Sequence, residues 1–319
     1  MKHATVFLAA AALAAGLSAG AKAQTVAIAT LPPGAVNNVQ AQAIAKVVQE
    51  NSNLQMRIVT FNAPAAIMGA TQMGQAEFSF TSNDEAGVAV EGLDEHAGKP
   101  MGDLRIAATV FPFKVGILVR KDSGINSVAD LKGKRFPIGW QGFLQGIPLS
   151  NAMLATAGLS LKDTDGVPTA NLIRGADDFK AGRLDATIFA VGAPKMAEVD
   201  AAVGIKFLDL PDTPEAAKAM AAVRPEYHPA EQAPAPHLAG VVGQTTLMEY
   251  AIVLLTSAKV SDEVVYKVVK AMYENKPGLV AGHPSFNDLT QQGLATPQPR
   301  VKYHPGAIKF FKEVGVWKE

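Results

Sequence analysis

The chain has 319 residues, with 29 basic and 29 acidic side chains and no cysteine. Without cysteine it cannot form disulfides, carry a lipid on a thiol or bind a metal through thiolates. Its balanced charge argues against binding to nucleic acid or to a charged membrane surface. The length exceeds what one small core can organise, so we expect two lobes.

The N-terminal residues 1–23 have the pattern of a secretory signal peptide. Lys2 and His3 precede an apolar run, which is followed by the A-x-A cleavage signal Ala21–Ala23. The run is too short and too rich in alanine for a membrane anchor. We therefore predict cleavage after Ala23 and a periplasmic location. Cleavage removes Lys2 and Lys22 from the 29 basic residues, so the mature chain has a net charge of −2.

Two stretches that lie 108 residues apart share the order strand, loop, helix. The predicted strand Thr25–Thr30 leads through the loop LPPGAVNN into a helix. The predicted strand Gly133–Gly139 leads through the loop WQGFLQG into a helix that we expect Ser150 to cap. This order is typical of alternating α/β proteins.

The same separation relates a second pair of stretches. Ala65–Asp84 and Ala176–Gly192 each show the order helix, strand, loop, with Gly182 at the place of Gly74 and Asp185 at that of Glu77. The internal repeat therefore favours two lobes that each contain both units.

Two long apolar strands, near Phe113–Arg120 and Ala239–Ser257, are candidates for crossing between these lobes. They predict a hinge, with one lobe formed by residues 24–113 and 240–319 and the other by residues 114–239. In such a protein the strand-end loops of both lobes face one cleft. The proline-rich segment Pro225–Gly240 is expected to be an irregular connector.

The loops after the predicted strands are rich in side chains suited to a small ligand. In the stretch GWQGFLQG, the glycines expose backbone N–H groups, the aromatics offer apolar walls and the glutamines offer donors. The alternative is that the aromatic residues only fill the core and that asparagines only cap helices. The candidate ligand-binding residues are Asn37, Asn38, Asn62, Thr81, Ser82, Asn83, Phe111, Trp140, Gln141, Phe143, Gln145, Phe189 and Gly192.

Arg174 and Lys195 lie near such loops and are candidates for a carboxylate clamp, although each is more often simply solvated. No pair of the six histidines has the spacing of a helical zinc site, and no nucleophile with a base emerges. We therefore expect no metal, no cofactor and no catalytic residue.

Four stretches carry a family resemblance: ADLKGKRFPIG, FKAGRLDATIFAVGAP, SDEVVYKVVKAMYENK and YHPGAIKFFKEVGVW. Together they resemble the TAXI branch of the receptors of tripartite ATP-independent periplasmic (TRAP) transporters. The resemblance implies an α/β periplasmic-binding-protein fold of type II topology, with two lobes, two hinge crossings and a central ligand cleft. It also implies a monomer that delivers a solute to fused membrane permease subunits driven by an ion gradient. The family's tyrosine-containing first loop is replaced here by LPPGAVNNVQ.

We therefore predict a periplasmic receptor, not an enzyme, that captures a small organic acid by lobe closure. The solute would be a carboxylate or amino-acid-like, and no nucleic acid would be a partner. Three alternatives keep the same scaffold: a receptor for an ATP-driven importer, a ligand-sensing module for a membrane sensor kinase, and an exported enzyme.

Overall fold

A computed structural model describes residues 24–33, 36–61 and 64–318 of the chain. The predicted signal peptide, residues 1–23, lies outside this part. Within it, helices and strands alternate, as the sequence predicts. The strands are β1 (Gln24–Thr30), β2 (Leu54–Thr60), β3 (Phe78–Ser82), β4 (Leu104–Arg120), β5 (Arg135–Gly139), β6 (Asp165–Thr169), β7 (Ala186–Ala190), β8 (Ile205–Phe207), β9 (His228–Gln232) and β10 (Thr245–Ser257).

The α-helices pack against these strands, and short 3-10 helices connect them. The α-helices are α1 (Val36–Asn51), α2 (Pro64–Gln72), α3 (Asn83–Glu91), α4 (Gly146–Ala155), α5 (Leu172–Lys180), α6 (Pro194–Val203), α7 (Pro214–Val223), α8 (Asp262–Glu274), α9 (Lys276–Gly282) and α10 (Pro305–Glu313). Across the residues described, no helix has both the length and the apolar character needed to span a bilayer.

One sheet organises most of the strands, in the order β2-β1-β3-β10-β4-β7, with β8 also on β4 and β9 also on β10. Strands β1, β2 and β3 run parallel, and β10 runs antiparallel to both β3 and β4. The parallel pair β5-β6 forms a second sheet.

The long strands β4 and β10 join two ends of the molecule. Strand β3 pairs with Ile252–Thr256 of β10, whereas β9 pairs with Thr245–Glu249 of the same strand. Likewise, β7 and β8 pair with residues 115–120, at the C-terminal end of β4. Each long strand therefore pairs with different neighbours at its two ends, which is the arrangement expected of a strand that crosses between two lobes.

The internal repeat is present in the fold and extends to single hydrogen bonds. Glu77 Oε2 accepts the backbone N–H of Ala27 on β1 at 2.6 Å, and Asp185 Oδ2 accepts that of Arg135 on β5 at 2.9 Å. Both pairs keep the separation of 108 residues seen in the sequence. Glu77 therefore ties the segment before β3 to β1, and Asp185 ties the segment before β7 to β5. Each carboxylate lies 50 residues after its partner in the chain.

Helix α8 shows how the sequence pattern determines the packing. Val264, Val265, Val268 and Val269 recur on one face and are fully or almost fully buried. Ser261 caps the helix, since its hydroxyl accepts the backbone N–H of Val264. The apolar stripe therefore predicted both the helix and the face that it turns to the core.

Two local predictions were wrong. Helix α4 begins at Gly146, so Ser150 lies inside it instead of capping it. Pro148 is compatible with that earlier start because a proline in the first turn has no N–H to leave unpaired. The connector Pro225–Gly240 contains strand β9, which pairs with β10. Pro229 is tolerated there because proline is confined to edge strands and bulges, where no ladder bond is required of it.

Candidate functional site

The start of α3 and the loop between β5 and α4 meet through side chains. Gln145, the last residue before α4, donates its Nε2 to Asp84 Oδ1 at 2.9 Å and to Asp84 Oδ2 at 3.0 Å. The same nitrogen lies 3.2 Å from Ser82 Oγ. Two strand-end segments about 60 residues apart in sequence therefore share one polar contact.

Asp84 is the buried centre of this contact. Its side chain is almost fully enclosed, and Tyr227 donates its hydroxyl to Asp84 Oδ2 at 2.5 Å. Tyr227 is also buried, with its ring 5.7 Å from that of Tyr250. Burial, followed by the charge of Asp84, raises the pKa of Tyr227 well above its usual value, so this phenol stays protonated and serves as a donor.

Glu85 lies beside Asp84 and accepts two hydroxyl hydrogen bonds. Thr81 Oγ1 lies 3.0 Å and Ser82 Oγ 3.1 Å from Glu85 Oε2. Burial raises the pKa of Glu85 to about 7, and the neighbouring charge of Asp84 adds to this shift. The two adjacent carboxyl groups are therefore held in surroundings that disfavour a second negative charge.

The cations near these carboxylates already have anionic partners. Arg300 donates through Nε to Glu226 Oε1 at 2.7 Å and through Nη2 to the backbone oxygen of Asp84 at 3.0 Å. Arg224 forms an ion pair with Asp94. Glu226 is buried, and burial raises its pKa against the opposing effect of Arg300.

A cavity of about 370 Å³, the junction cavity, opens beside the Gln145–Asp84 contact. It has the size of a small-solute pocket and combines apolar walls with polar groups. Four of its charged residues are acidic and one is basic, so its lining favours neutral or cationic groups over bare anions. The lining residues are Asp84, Glu85, Val88, Asp94, Glu95, Leu144, Gln145, Ile147, Pro148, Asn151, Val223 and Arg224.

A second cavity, of about 360 Å³, lies beside the crossing strands β4 and β10. The predicted residues Asn83 and Phe111 line it together with Tyr250 and Gln298. Asn83 spans two segments, donating to Gln298 Oε1 at 2.7 Å and accepting the backbone N–H of Ala251. Asn83 therefore ties α3 to a crossing strand and to the C-terminal segment.

Trp140 is fully buried, so its ring does not face solvent in this structure. Its backbone is left-handed, with φ 46°, which is rare for a large residue. A Cβ at Gly146 would overlap the indole, and one at Gly175 would touch its far edge. The absence of a side chain at Gly146 therefore leaves room for the indole of Trp140. Packing thus explains why this position of the stretch is glycine.

The other residues of this loop differ in exposure. Gln141 is exposed, whereas Phe143 is half-buried and packs edge-on against Trp140 with ring centres 6.1 Å apart. Phe143 also lines a third cavity of about 430 Å³, together with Asn171 and Arg174. The loop therefore presents one amide and part of one aromatic ring to the surface.

The remaining candidates lie apart from the Gln145–Asp84 contact. Asn38 is buried and donates to the backbone oxygen of Leu31 at 2.8 Å, and Asn37 precedes it in α1. Phe189 packs in the core, and Gly192 has a left-handed φ of 76°. Asn62 falls outside the residues that the structure describes.

The two clamp candidates are engaged in ion pairs of their own. Arg174 pairs with Asp178 one turn further along α5, although its side chain remains 60% exposed. Lys195 contacts Asp177 and Glu198, both at 2.8 Å. In the part of the chain described, no group of acidic and histidine side chains has the arrangement of a metal site.

The sequence candidates include Thr81, Ser82 and Gln145 at the Gln145–Asp84 contact. They do not include Asp84, Glu85 or Tyr227. The stretch FTSNDE contained a usable signal, because two acids lie in the first turn of a helix that follows a buried strand. The residues around Tyr227 do not indicate that it donates to Asp84, because the two residues are 143 positions apart in the chain.

The fold is shared with known solute-binding proteins. A TctC solute-binding protein from Polaromonas, solved without ligand, superposes with a TM-score of 0.57 at 16% identity, over 83% of this chain and 86% of that one. A probable amino-acid ABC transporter extracellular-binding protein from Bacillus subtilis gives 0.52 at 12% identity, over 86% and 98%. A Xanthomonas citri protein solved with ATP gives 0.52 at 10% identity, over 92% and 97%.

These likenesses confirm the predicted α/β periplasmic-binding-protein fold. Two of these three proteins are named as binding proteins. The model of one family also matches residues 28–315, which is most of the chain. The chain therefore belongs to the NMT1-like family.

Proposed function

We propose that this chain is a periplasmic receptor that captures a small organic acid between two lobes and delivers it to a membrane permease. The lobes are residues 24–113 with 240–319, and residues 114–239, joined by β4 and β10. The observation that carries the proposal is the contact of Gln145 with Asp84 and Ser82, which brings two strand-end segments together beside a solute-sized cavity.

The charges favour an amino-acid-like solute among the organic acids. A dicarboxylate would meet Asp84 and Glu85 with no unpaired cation in the junction cavity, because Arg224 is already paired. An ammonium group would instead be attracted to those carboxylates. The solute's carboxylate would then be held by neutral donors of the junction cavity, such as Asn151.

Export and the transport partner are part of the same proposal. Residues 1–23 would act as the signal peptide, cleaved after Ala23, and the mature monomer would serve a TRAP permease of the TAXI type with fused membrane subunits. The stretches that resemble TAXI receptors begin at Ala129 and end at Trp317, and the matched region 28–315 covers all but their last two residues.

Thermal unfolding with a panel of solutes tests the proposal. The mature chain is unfolded and refolded to remove bound solute, then heated with amino acids, monocarboxylates or dicarboxylates. A solute at a thousand times its Kd adds about 4 kcal/mol to the unfolding free energy. We expect amino-acid-like solutes to raise the Tm most. No shift with any of the three classes would overturn the proposal.

A receptor for an ATP-driven importer is the second candidate, because the Bacillus subtilis relative carries an ABC transporter name. The permease genes encoded beside this chain distinguish the two. Large membrane subunits without an ATPase support the TRAP partner, whereas an adjacent ATPase gene supports the importer.

A further inference from the structure

Gln145 contacts Asp84, the most buried carboxylate of the junction cavity, from a loop that lies at the surface. Its neighbours Gln141 and Leu144 are exposed, and its own side chain is half-buried. Asp84, in contrast, is almost fully buried. A partly exposed amide that donates to both oxygens of a buried carboxylate is a contact that a moving loop can make and break.

Asp84 is held from the opposite direction by a more rigid group. Tyr227 is buried, packs against Tyr250 of β10 and directly precedes β9, which pairs with β10. Tyr227 falls in the range 114–239, as Gln145 does, but its packing on Tyr250 holds it beside the crossing strands and not with the loop before α4. Its hydroxyl fixes Asp84 Oδ2 and leaves the carboxylate aimed at the loop.

We propose that Gln145 is a latch that docks on Asp84 when the two lobes close, and that Tyr227 is the positioning residue that aims Asp84 to receive it. The proposal rests on the proposed function only in that the two lobes open and close. A hydrogen bond to a buried charge is among the stronger single contacts available to such a latch, because little water competes for it.

The distance between the lobes is the direct readout. Since the chain has no cysteine, Lys46→Cys on α1 and Lys132→Cys before β5 introduce two spin-labelling sites at exposed positions. Pulsed electron spin resonance on the solute-free protein then gives the distribution of distances. We expect a short and a longer distance in the parent chain, from closed and open molecules, and a larger share of the longer distance wherever the latch is broken.

Gln145→Glu places a carboxylate against Asp84 and should raise the ratio of open to closed molecules about tenfold or more. Gln145→Met removes the donor without adding charge and should act in the same direction. Gln55→Glu makes the same change at an exposed position on the edge strand β2, outside the proposed site, and should leave the distances unchanged. An unchanged distribution in both Gln145 variants would overturn the proposal.

Exchanging the two groups gives a sharper test. In the double variant Asp84→Asn with Gln145→Glu, the amide lies at position 84 and the carboxylate at position 145, so the contact can form again. We expect the short distance to return. Persistent opening in this double variant, or opening by Gln55→Glu as strong as by Gln145→Glu, would also contradict the latch.

The role of Tyr227 is tested in the same system. Tyr227→Phe should increase the open population in the parent chain but add nothing in the Gln145→Met background, because it acts through the latch. Equal effects in both backgrounds would show a purely structural role. No step needs a solute, so a silent thermal panel with a working latch would overturn the proposed function and leave the latch standing.

Discussion

Two segments that follow strands use opposite means to fix their shape. The segment Thr81–Glu85 buries carboxylates and satisfies them with hydroxyl, amide and phenol donors. The loop Gly139–Gly146 instead buries an indole between glycines and keeps its polar side chains near the surface. In this chain, glycine and tryptophan, which often line ligand sites, are used to pack the core. Residue type alone therefore does not identify the site.

The ion pair behind the first segment should give the largest effect. Arg300→Met leaves Glu226 buried without its cation, so we expect the free energy of unfolding to fall by about 3–5 kcal/mol in urea denaturation. Lys259→Met breaks an exposed pair with Asp103 and should change the free energy of unfolding far less. Adding Glu226→Leu to Arg300→Met should restore much of the stability; no restoration would mean that another contact of Arg300 dominates.

The pH dependence of stability sharpens the polar side of the comparison. Folding raises the pKa of Glu85 from 4.5 to about 7, so the folded state keeps a proton that the unfolded state releases. Stability should therefore fall as the pH rises from about 4.5 to 7, by about 3 kcal/mol in total, and level off above that range. The charged groups that influence Glu85 are Asp84 and Glu95. Glu85→Gln should flatten this part of the profile, and an identical slope in the variant would refute the assignment.

The apolar side is tested by filling the space beside the indole. Gly146→Ala should force Trp140 out of its place and cost about 2–3 kcal/mol, because the indole is enclosed on all sides. Gly69→Ala is the matched control, since a Cβ there meets nothing within 4 Å in a helix and should slightly stabilise the chain. Trp140 emission should shift to longer wavelength in Gly146→Ala only, when recorded in chains that carry Trp317→Phe. An unshifted emission would show that the indole does not occupy the space beside Gly146.

Removing one phenol donor should give the smallest effect. Tyr227→Phe deprives buried Asp84 of a hydrogen bond and should lower the free energy of unfolding by about 2 kcal/mol. Tyr266→Phe removes a hydroxyl that bonds to Glu313 in a more exposed setting and should cost less than half as much. Equal losses in the two variants would show that burial of Asp84 does not strengthen its contact.

The sequence predicted much of the fold because its elements repeat and are amphipathic. The separation of 108 residues anticipated two matching units, down to Glu77 and Asp185 on equivalent backbone N–H groups. The site was less predictable, because its contacts join residues far apart in the chain. Periodicity shows that Tyr227 and Asp84 lie in or near particular elements, but it cannot show that they touch.

The most direct test of a solute bound between the lobes compares one residue from each segment. The best solute of the thermal panel is added at saturation to the parent chain and to the Asp84→Asn and Trp140→Phe variants, and the rise in Tm is measured. We predict that the rise is lost in Asp84→Asn and kept in Trp140→Phe, because Asp84 lines the junction cavity and Trp140 is enclosed. A rise that survives in Asp84→Asn and disappears in Trp140→Phe would contradict a site at this junction.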